Sequence, residues 1–314
     1  MNPDASPGLT FVVPALDEAE SLPQLFDEIR EAARVVDRTF EVIVVDDGST
    51  DGTVDAVRAA RAHDPRIRLL SFSRNFGKAA AYTAAFQRAR GEVVVTMDAD
   101  LQDDPAELIK LLAELEGQDV VVGWKIARMG NEPTKTMPSR VFNAMNRLVF
   151  GVAFRDQNSG YRVMRREVAR TLELSGDNYR FIPQLAHLAG FRVSETGVVH
   201  RKRIHGVSKY GVTRFWTGLL DLLTVGFLAR FRHRPLHFFG TAGLLPIAIG
   251  VALLLYVLTM KLLGDTFQEH VAAMIIGVTS LLVGFQSVLI GLVAELLAAP
   301  RGDRYILGPD STDA

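Results

Sequence analysis

The N-terminal part of the chain alternates short apolar runs with longer segments whose apolar positions recur at helical spacing. The runs LTFVVPA, FEVIVVDDGS, IRLLSFS, EVVVTMDAD and DVVVGW are nearly continuous in apolar residues, as strands buried on both faces of a parallel sheet are. Between them, the segments near Glu18 to Val36, Thr53 to Ala62, Lys78 to Arg90 and Pro105 to Glu116 carry the period of crossover helices. This alternation predicts an α/β domain with a doubly wound, mainly parallel sheet.

The pattern changes after Pro235. No charged residue occurs from Phe238 to Met260, and at ~1.5 Å per residue such a helix crosses a ~30 Å hydrocarbon core. A second run, Val271 to Leu297, is free of charge until Glu295. The ten residues KLLGDTFQEH between them leave room only for a tight reversal. A pair of transmembrane helices in a hairpin is therefore predicted over 235–300. Two buried helices of a soluble core are the alternative, but soluble helices of that length seldom lack a charge. Arg230, Arg232 and Arg234 precede the first span and Arg301 and Arg304 follow the second, whereas the loop offers Lys261 against Asp265 and Glu269. This asymmetry places the N-terminal domain and both termini in the cytoplasm, with 301–314 as a cytoplasmic tail. The stretch TRFWTGLLDLLTVGFLARFRHRP is apolar but short, and it carries Asp221 and a basic end. Segment 213–234 reads as an amphipathic interfacial helix with Trp216 at headgroup depth, or else as a helix packed on the domain formed by 1–212.

Composition narrows the chemistry. The formal charge of −1 gives no reason to expect bulk binding of nucleic acid. The absence of cysteine excludes disulfides, thiolate metal sites and a cysteine nucleophile. The first residues, MNPDASPGLT, lack the basic start and apolar stretch of a secretory signal. No glycine-rich dinucleotide fingerprint, P-loop, H-E-x-x-H or G-x-S-x-G occurs.

Ligands of doubly wound sheets sit beyond the carboxyl ends of the strands, and there the acidic residues gather. Asp17 and Glu18 follow the first strand, Asp46 and Asp47 the second, Asp98 and Asp100 the fourth. Asp51 before Thr53, and Asp103 or Asp104 before Pro105, precede helical segments and read as caps. Asp98 and Asp100 are alternate residues at a strand end, so their carboxylates are expected to point the same way and to share one divalent ion. A sheet without phosphate-cradling glycines can then hold a nucleotide diphosphate through metal.

The motifs VPALDEAE, VVDDGSTDGT, SRNFGKAAA, MDADLQDDP, DQNSGYRVM and HGVSKYG occur in this order. In this the chain resembles the polyprenyl-phosphate glycosyltransferases, the dolichol-phosphate mannosyltransferase-like branch of the family 2 enzymes with the GT-A fold. The two-helix tail resembles that of the bacterial members. The resemblance implies that Pro14, Asp17 and Glu18 border the nucleotide and that Asp46 and Asp47 contact its base and ribose. It further implies that Asp98, Asp100 and Gln102 bind Mg2+ or Mn2+ through hard oxygen ligands. Arg203, Gly206, Ser208 and Lys209 match an R-x-x-G-x-S-K motif whose cations neutralise the departing diphosphate and help hold the acceptor phosphate. Arg201 and Lys202 fit a basic strip against anionic lipid better. Lys125, Lys135, Ser139 and Arg140 lie where relatives bind the lipid phosphate, although arginine is common at the first two positions and lysine lacks its bidentate fork. Asp156 takes the place often assigned to a catalytic base.

The implied reaction carries a sugar from a nucleotide sugar, UDP- or GDP-linked, to a polyprenyl phosphate such as undecaprenyl phosphate, with inversion. A homo-oligomer, a tetramer, is implied by the same resemblance. A processive polysaccharide synthase would show Q-x-x-R-W and more membrane helices. A silent membrane scaffold would not need the intact acidic and basic motifs.

Overall fold

The computed structural model describes residues 6–126, 137–156, 159–201, 222, 224–227, 231 and 234–298, with the backbone alone for 137–143 and 298. The chain folds as two compact units, one ending at Gly226 and the other starting at Phe227.

The first unit is built on a seven-stranded sheet. Its strands are β1 (Leu9–Ala15), β2 (Phe40–Asp46), β3 (Ile67–Ser71), β4 (Val93–Thr96), β5 (Val120–Lys125), β6 (Arg162–Arg165) and β7 (Val193–Val198), in the order β3-β2-β1-β4-β6-β5-β7. Neighbours run parallel except around β6, which is antiparallel to both β4 and β5. The five predicted strands are present, although β4 ends at Thr96, before the acidic motif. Neither β6 nor β7 has the apolar run of the other strands: β6 is four residues long with arginine at both ends, and β7 is VSETGV.

The helices are α1 (Leu22–Val35), α2 (Thr53–His63), α3 (Lys78–Phe86), α4 (Leu108–Leu115), α5 (Met137–Phe150), α6 (Arg166–Thr171) and α7 (Ile182–Leu188). Strand residues alternate between two cores, as the pleat requires. Leu9, Phe11 and Val13 of β1 face Leu25, Phe26 and Ile29 of α1 and Leu108 and Leu111 of α4. Val12, Ile43 and Val45 face Tyr82 and Phe86 of α3 and Ile182 of α7. α1 buries Leu22, Leu25, Phe26, Ile29, Ala32 and Ala33, one stripe at helical spacing, and each of its large apolar side chains stabilises the fold by roughly 1.5–3 kcal/mol. A third, smaller cluster joins Leu222 and Val225 to Phe150 and Phe181. These two residues of the 213–234 segment are thus buried within the first unit.

The second unit contains α8 (Pro235–Leu263) and α9 (Val271–Ala298), both long and apolar enough to cross a membrane. They pack closely through glycine: a Cβ at Gly243 would lie 2.7 Å from the Gly284 carbonyl oxygen, and one at Gly250 2.7 Å from that of Gly277. α8 ends at Gly264 in the left-handed region, φ 115°. A capping box between Thr266 and Glu269 then starts the next turn, and His270 Nε2 pairs with Asp265 at 2.9 Å. Glu295, the single charge in the second span, accepts a hydrogen bond from the Leu236 amide at 3.1 Å and so caps the start of α8.

Candidate active site

Three loops at the carboxyl end of the sheet are tied together by their own acidic residues. Asp17, at φ 56°, accepts from the Thr50 amide at 2.8 Å, and its own amide donates to Ser49 Oγ at 2.9 Å. The Glu18 amide donates to Thr53 Oγ1 and the Ala19 amide to Asp51, so the loops after β1 and β2 are clipped together. Asp51 also accepts from the Thr53 amide at 2.9 Å, and Asp104 from the Ala106 amide at 3.0 Å, both at helix starts as the sequence predicts. Of the two candidates before Pro105, Asp104 is the cap, whereas Asp103 is buried and lies 3.4 Å from His200 Nδ1.

Asp46 and Asp47 are buried. Asp46 accepts from the Ser49 amide and from Ser71 Oγ. Asp47 accepts from the amides of Phe76, at 2.7 Å, and Gly77, at 3.0 Å, and so braces the loop that starts α3. Gly48 makes this crossing possible: at φ 81°, a Cβ there would come within 2.6 Å of the Arg74 backbone. Pro14 lies in β1 opposite Val45.

The acidic motif after β4 is a turn, not a continuation of the strand. Leu101 adopts φ 60° with its side chain fully buried, and the Gln102 amide donates to Asp100 Oδ1 at 3.2 Å. Turn geometry, not the pleat, therefore presents Asp98, Asp100 and Gln102. The Gln102 carbonyl accepts from the Arg201 amide at 2.8 Å, which fixes the turn against the end of the last strand segment.

Asp98 is the focus of charge. Lys78, the first residue of α3, places Nζ 2.5 Å from Asp98 Oδ1. Burial opposes ionisation of Asp98, but Lys78 chiefly, with Lys125 and Arg162, overcomes it and holds the carboxyl below the ordinary range. Burial likewise opposes the charge on Lys78, and Asp98 more than offsets it, so the ammonium stays above the ordinary lysine range. On the other side, Gly160 packs so near that a Cβ would lie 2.6 Å from Asp98 Oδ1. Thr96 Oγ1 anchors that approach by donating to the Gly160 carbonyl at 2.7 Å.

Lys125 closes β5, and its charge reaches Asp98. Arg162 of β6 is 1% exposed, and among the described residues its Nε and Nη1 have no acceptor. The Asp156 amide lies 3.4 Å from Glu195 Oε1 on β7, and the same oxygen accepts from the Arg155 amide at 2.7 Å. Burial raises the Glu195 pKa, the two amides oppose it, and the charge on Asp156 adds to it. Ser139 and Arg140 fall in the first turn of α5, whose side chains are outside the described residues, as are Lys135, Arg203, Ser208 and Lys209.

Lys78, Arg162 and Glu195 were not singled out from the sequence. Lys78 and Arg162 stand inside quoted motifs, SRNFGKAAA and DQNSGYRVM, which was the available signal. The donor set of Asp98, Asp100 and Gln102 is all oxygen, suited to a hard divalent cation, and Asp98 already holds one cation, the Lys78 ammonium.

Comparison with known proteins identifies the family and the fold. Residues 10–173, just over half of the chain, match the family model Glycosyl transferase family 2. The dodecaprenyl-phosphate galacturonate synthase of Rhizobium johnstonii is 36% identical over 305 residues, 95% of this chain and 89% of that protein. The undecaprenyl-phosphate 4-deoxy-4-formamido-L-arabinose transferase of Pseudomonas fluorescens is 33% identical over 237 residues, 75% of this chain and 70% of that one. Among solved structures, glucosyl-3-phosphoglycerate synthase from Mycobacterium tuberculosis with Mn2+ and UDP-glucose aligns at TM-score 0.53 and 20% identity, over 71% of this chain and 79% of that one. A mannosyltransferase from Pyrobaculum calidifontis with GDP-Man and Mn2+ aligns at TM-score 0.51 and 21% identity, over 95% and 80%. The mixed sheet with its acidic turn is thus a GT-A architecture, and the chain belongs to glycosyltransferase family 2.

Proposed function

We propose that this enzyme transfers a sugar from a nucleotide sugar to the phosphate of a polyprenyl lipid, by in-line attack at the anomeric carbon with inversion. The observation that carries the reading is the Asp98 carboxylate, walled by Gly160 and ringed by Lys78, Lys125 and Arg162, in a chain that also bears an apolar helical hairpin. Both relatives named above act on polyprenyl phosphates, which supports the same acceptor class here.

Asp98, Asp100 and Gln102 would hold Mg2+ or Mn2+, which when bound supplies charge neutralisation at the leaving diphosphate. The protein's own cations do comparable work: Lys125, with Lys135, Ser139 and Arg140, is assigned to the acceptor phosphate, and Arg203, Ser208 and Lys209 to the phosphates of donor and acceptor. Pro14, Asp17 and Glu18 border the nucleotide. Asp46 and Asp47 act on base and ribose directly or through the loops that they brace. A phosphate monoester has a second pKa near ~6, so the acceptor is largely ionised near neutral pH and needs no strong base. Asp156 accordingly orients the acceptor or a sugar hydroxyl, with general-base work as the second role.

The hairpin keeps the enzyme at the inner membrane with the catalytic unit and both termini cytoplasmic, in line with the basic residues flanking the spans. The full assembly is a homo-oligomer. The two relatives are named for dodecaprenyl and undecaprenyl phosphate, which favours a bacterial polyprenyl phosphate of that length as acceptor, with a UDP-linked sugar as the donor to test first.

The test is metal-dependent transfer of radiolabelled sugar into a lipid extractable by organic solvent. No transfer from any common nucleotide sugar would sink the reading. Near-normal turnover of Asp156→Asn, alongside complete loss in Asp98→Asn, would remove both roles of Asp156.

A further inference from the structure

Lys78 occupies an unusual position for a cation. It is the first residue of α3, a nine-residue helix, where the backbone N–H groups and the macrodipole disfavour positive charge. What holds the ammonium there is Asp98, through a charge-assisted contact of 2.5 Å. Gly160 lies on another side of Asp98, where an added Cβ would stand 2.6 and 3.1 Å from the two carboxylate oxygens, so that loop packs against the same carboxylate that holds Lys78. A divalent cation that reaches Asp98 while Lys78 still holds it meets an ammonium on the same carboxylate, and the two cations repel.

The same residue is well placed to leave. Its Nζ lies 5.9 Å from the Tyr82 ring and 5.8 Å from the Tyr179 ring, aromatic faces that tolerate a displaced ammonium. A diphosphate arriving beside Asp98 would offer it a stronger anionic partner, next to a helix N-terminus that itself favours anions.

We propose that Lys78 is the resident counter-ion of Asp98 in the free enzyme and couples metal entry to donor entry: it weakens binding of a divalent cation alone, and the nucleotide diphosphate relieves that block by taking the ammonium. The proposal rests on Asp98 being a metal ligand. It makes the order of loading a property of one ion pair, with metal and nucleotide entering together.

Mn2+ binding to the full-length protein in detergent, read from the electron paramagnetic resonance signal of free Mn2+ with and without UDP, tests this without turnover. In Lys78→Met and Lys78→Gln, Mn2+ alone is expected to bind about tenfold tighter than in the unmodified protein, and the enhancement by UDP to shrink by at least that factor, with the effect of Mn2+ on UDP affinity shrinking equally, as reciprocal coupling requires. Lys78→Arg keeps the charge and should keep the weak binding and the large enhancement. Unchanged Mn2+ affinity in both neutral variants, with thermal unfolding showing them folded, overturns the proposal. Asp98→Asn and Asp100→Asn separate the two layers: if neither weakens Mn2+ binding with UDP present, the metal assignment itself fails, and the role of Lys78 with it.

Discussion

Gly160 lies so close to Asp98 that a Cβ on it would stand 2.6 Å from Oδ1 and 2.8 Å from the carboxyl carbon. The glycine is required by contact, since its neighbour is a charged group held by Lys78 and unable to retreat freely. Gly160→Ala is expected to push Asp98 off its position, with Mn2+ affinity in the presence of UDP falling by about 10- to 100-fold and sugar transfer with it. The unfolding temperature should change far less than activity, because the strain is local. Equal losses of stability and activity would show instead that the whole loop had collapsed.

How much of this could be read from the chain depended on how each element is stabilised. Strands β1, β2, β4 and β5 announce themselves by apolar runs because both faces are largely buried, and the edge strand β3 by Ile67, Leu69 and Leu70 although only Ile67 is fully covered. β6 does not, since one of its four residues is the buried Arg162, and β7 does not, since its half-buried edge position admits Ser, Glu and Thr. The acidic turn was legible from residue types, but its geometry was not: the pleat argument for Asp98 and Asp100 assumed strand continuing past Thr96, whereas the chain turns through Leu101 at φ 60°. Lys78 and Glu195 were missed for a related reason. Their roles come from tertiary contacts with Asp98 and with the Arg155 amide, separated from them by 20 and 40 residues, and local pattern carries no trace of such pairings.

Asp47 offers a test of whether a buried acid serves a ligand or a loop. Its two oxygens accept from the amides of Phe76 and Gly77, just ahead of Lys78. Asp47→Ala should cost about 1.5–3 kcal/mol through loss of these charge-assisted bonds and should weaken UDP and GDP binding by the same factor. The measurements are thermal unfolding and calorimetric titration with both nucleotides. A loss confined to one base would mean that Asp47 reads the base directly.

Glu195 gives a pH-dependent prediction. Burial raises its pKa in the folded protein, so between the ordinary glutamate range and that raised value the folded state holds more protons than the unfolded state. Stability contributed at this position is therefore greatest at low pH and declines as pH rises through the window. Glu195→Gln removes the titration while its amide oxygen still accepts from Arg155 and Asp156. The unfolding temperature of the variant, relative to the unmodified protein, should accordingly rise from acidic towards neutral pH, with transfer activity largely kept. Glu195→Ala frees the amides of Arg155 and Asp156 and should lower kcat by about tenfold or more, since misplaced groups at a reacting centre are costly. A flat difference across pH would rule out Glu195 as the titrating group.

Glu295 extends the argument to the hairpin. A single acid in an apolar span is costly unless it has a partner, and here the partner is the Leu236 amide at the start of α8. Glu295→Leu leaves that amide unpaired and removes a negative charge from the helix N-terminus, a loss of about 1–2 kcal/mol. Glu295→Gln keeps the acceptor and should lose only the charge contribution. Both are read as the midpoint of unfolding in detergent, with the leucine variant lower than the glutamine variant. Transfer to a short-chain, water-soluble polyprenyl phosphate should survive in both, because the Asp98 site lies in the other unit and does not depend on this cap. Transfer to the long-chain lipid in membranes should fall in the leucine variant alone if the hairpin must be intact to receive it.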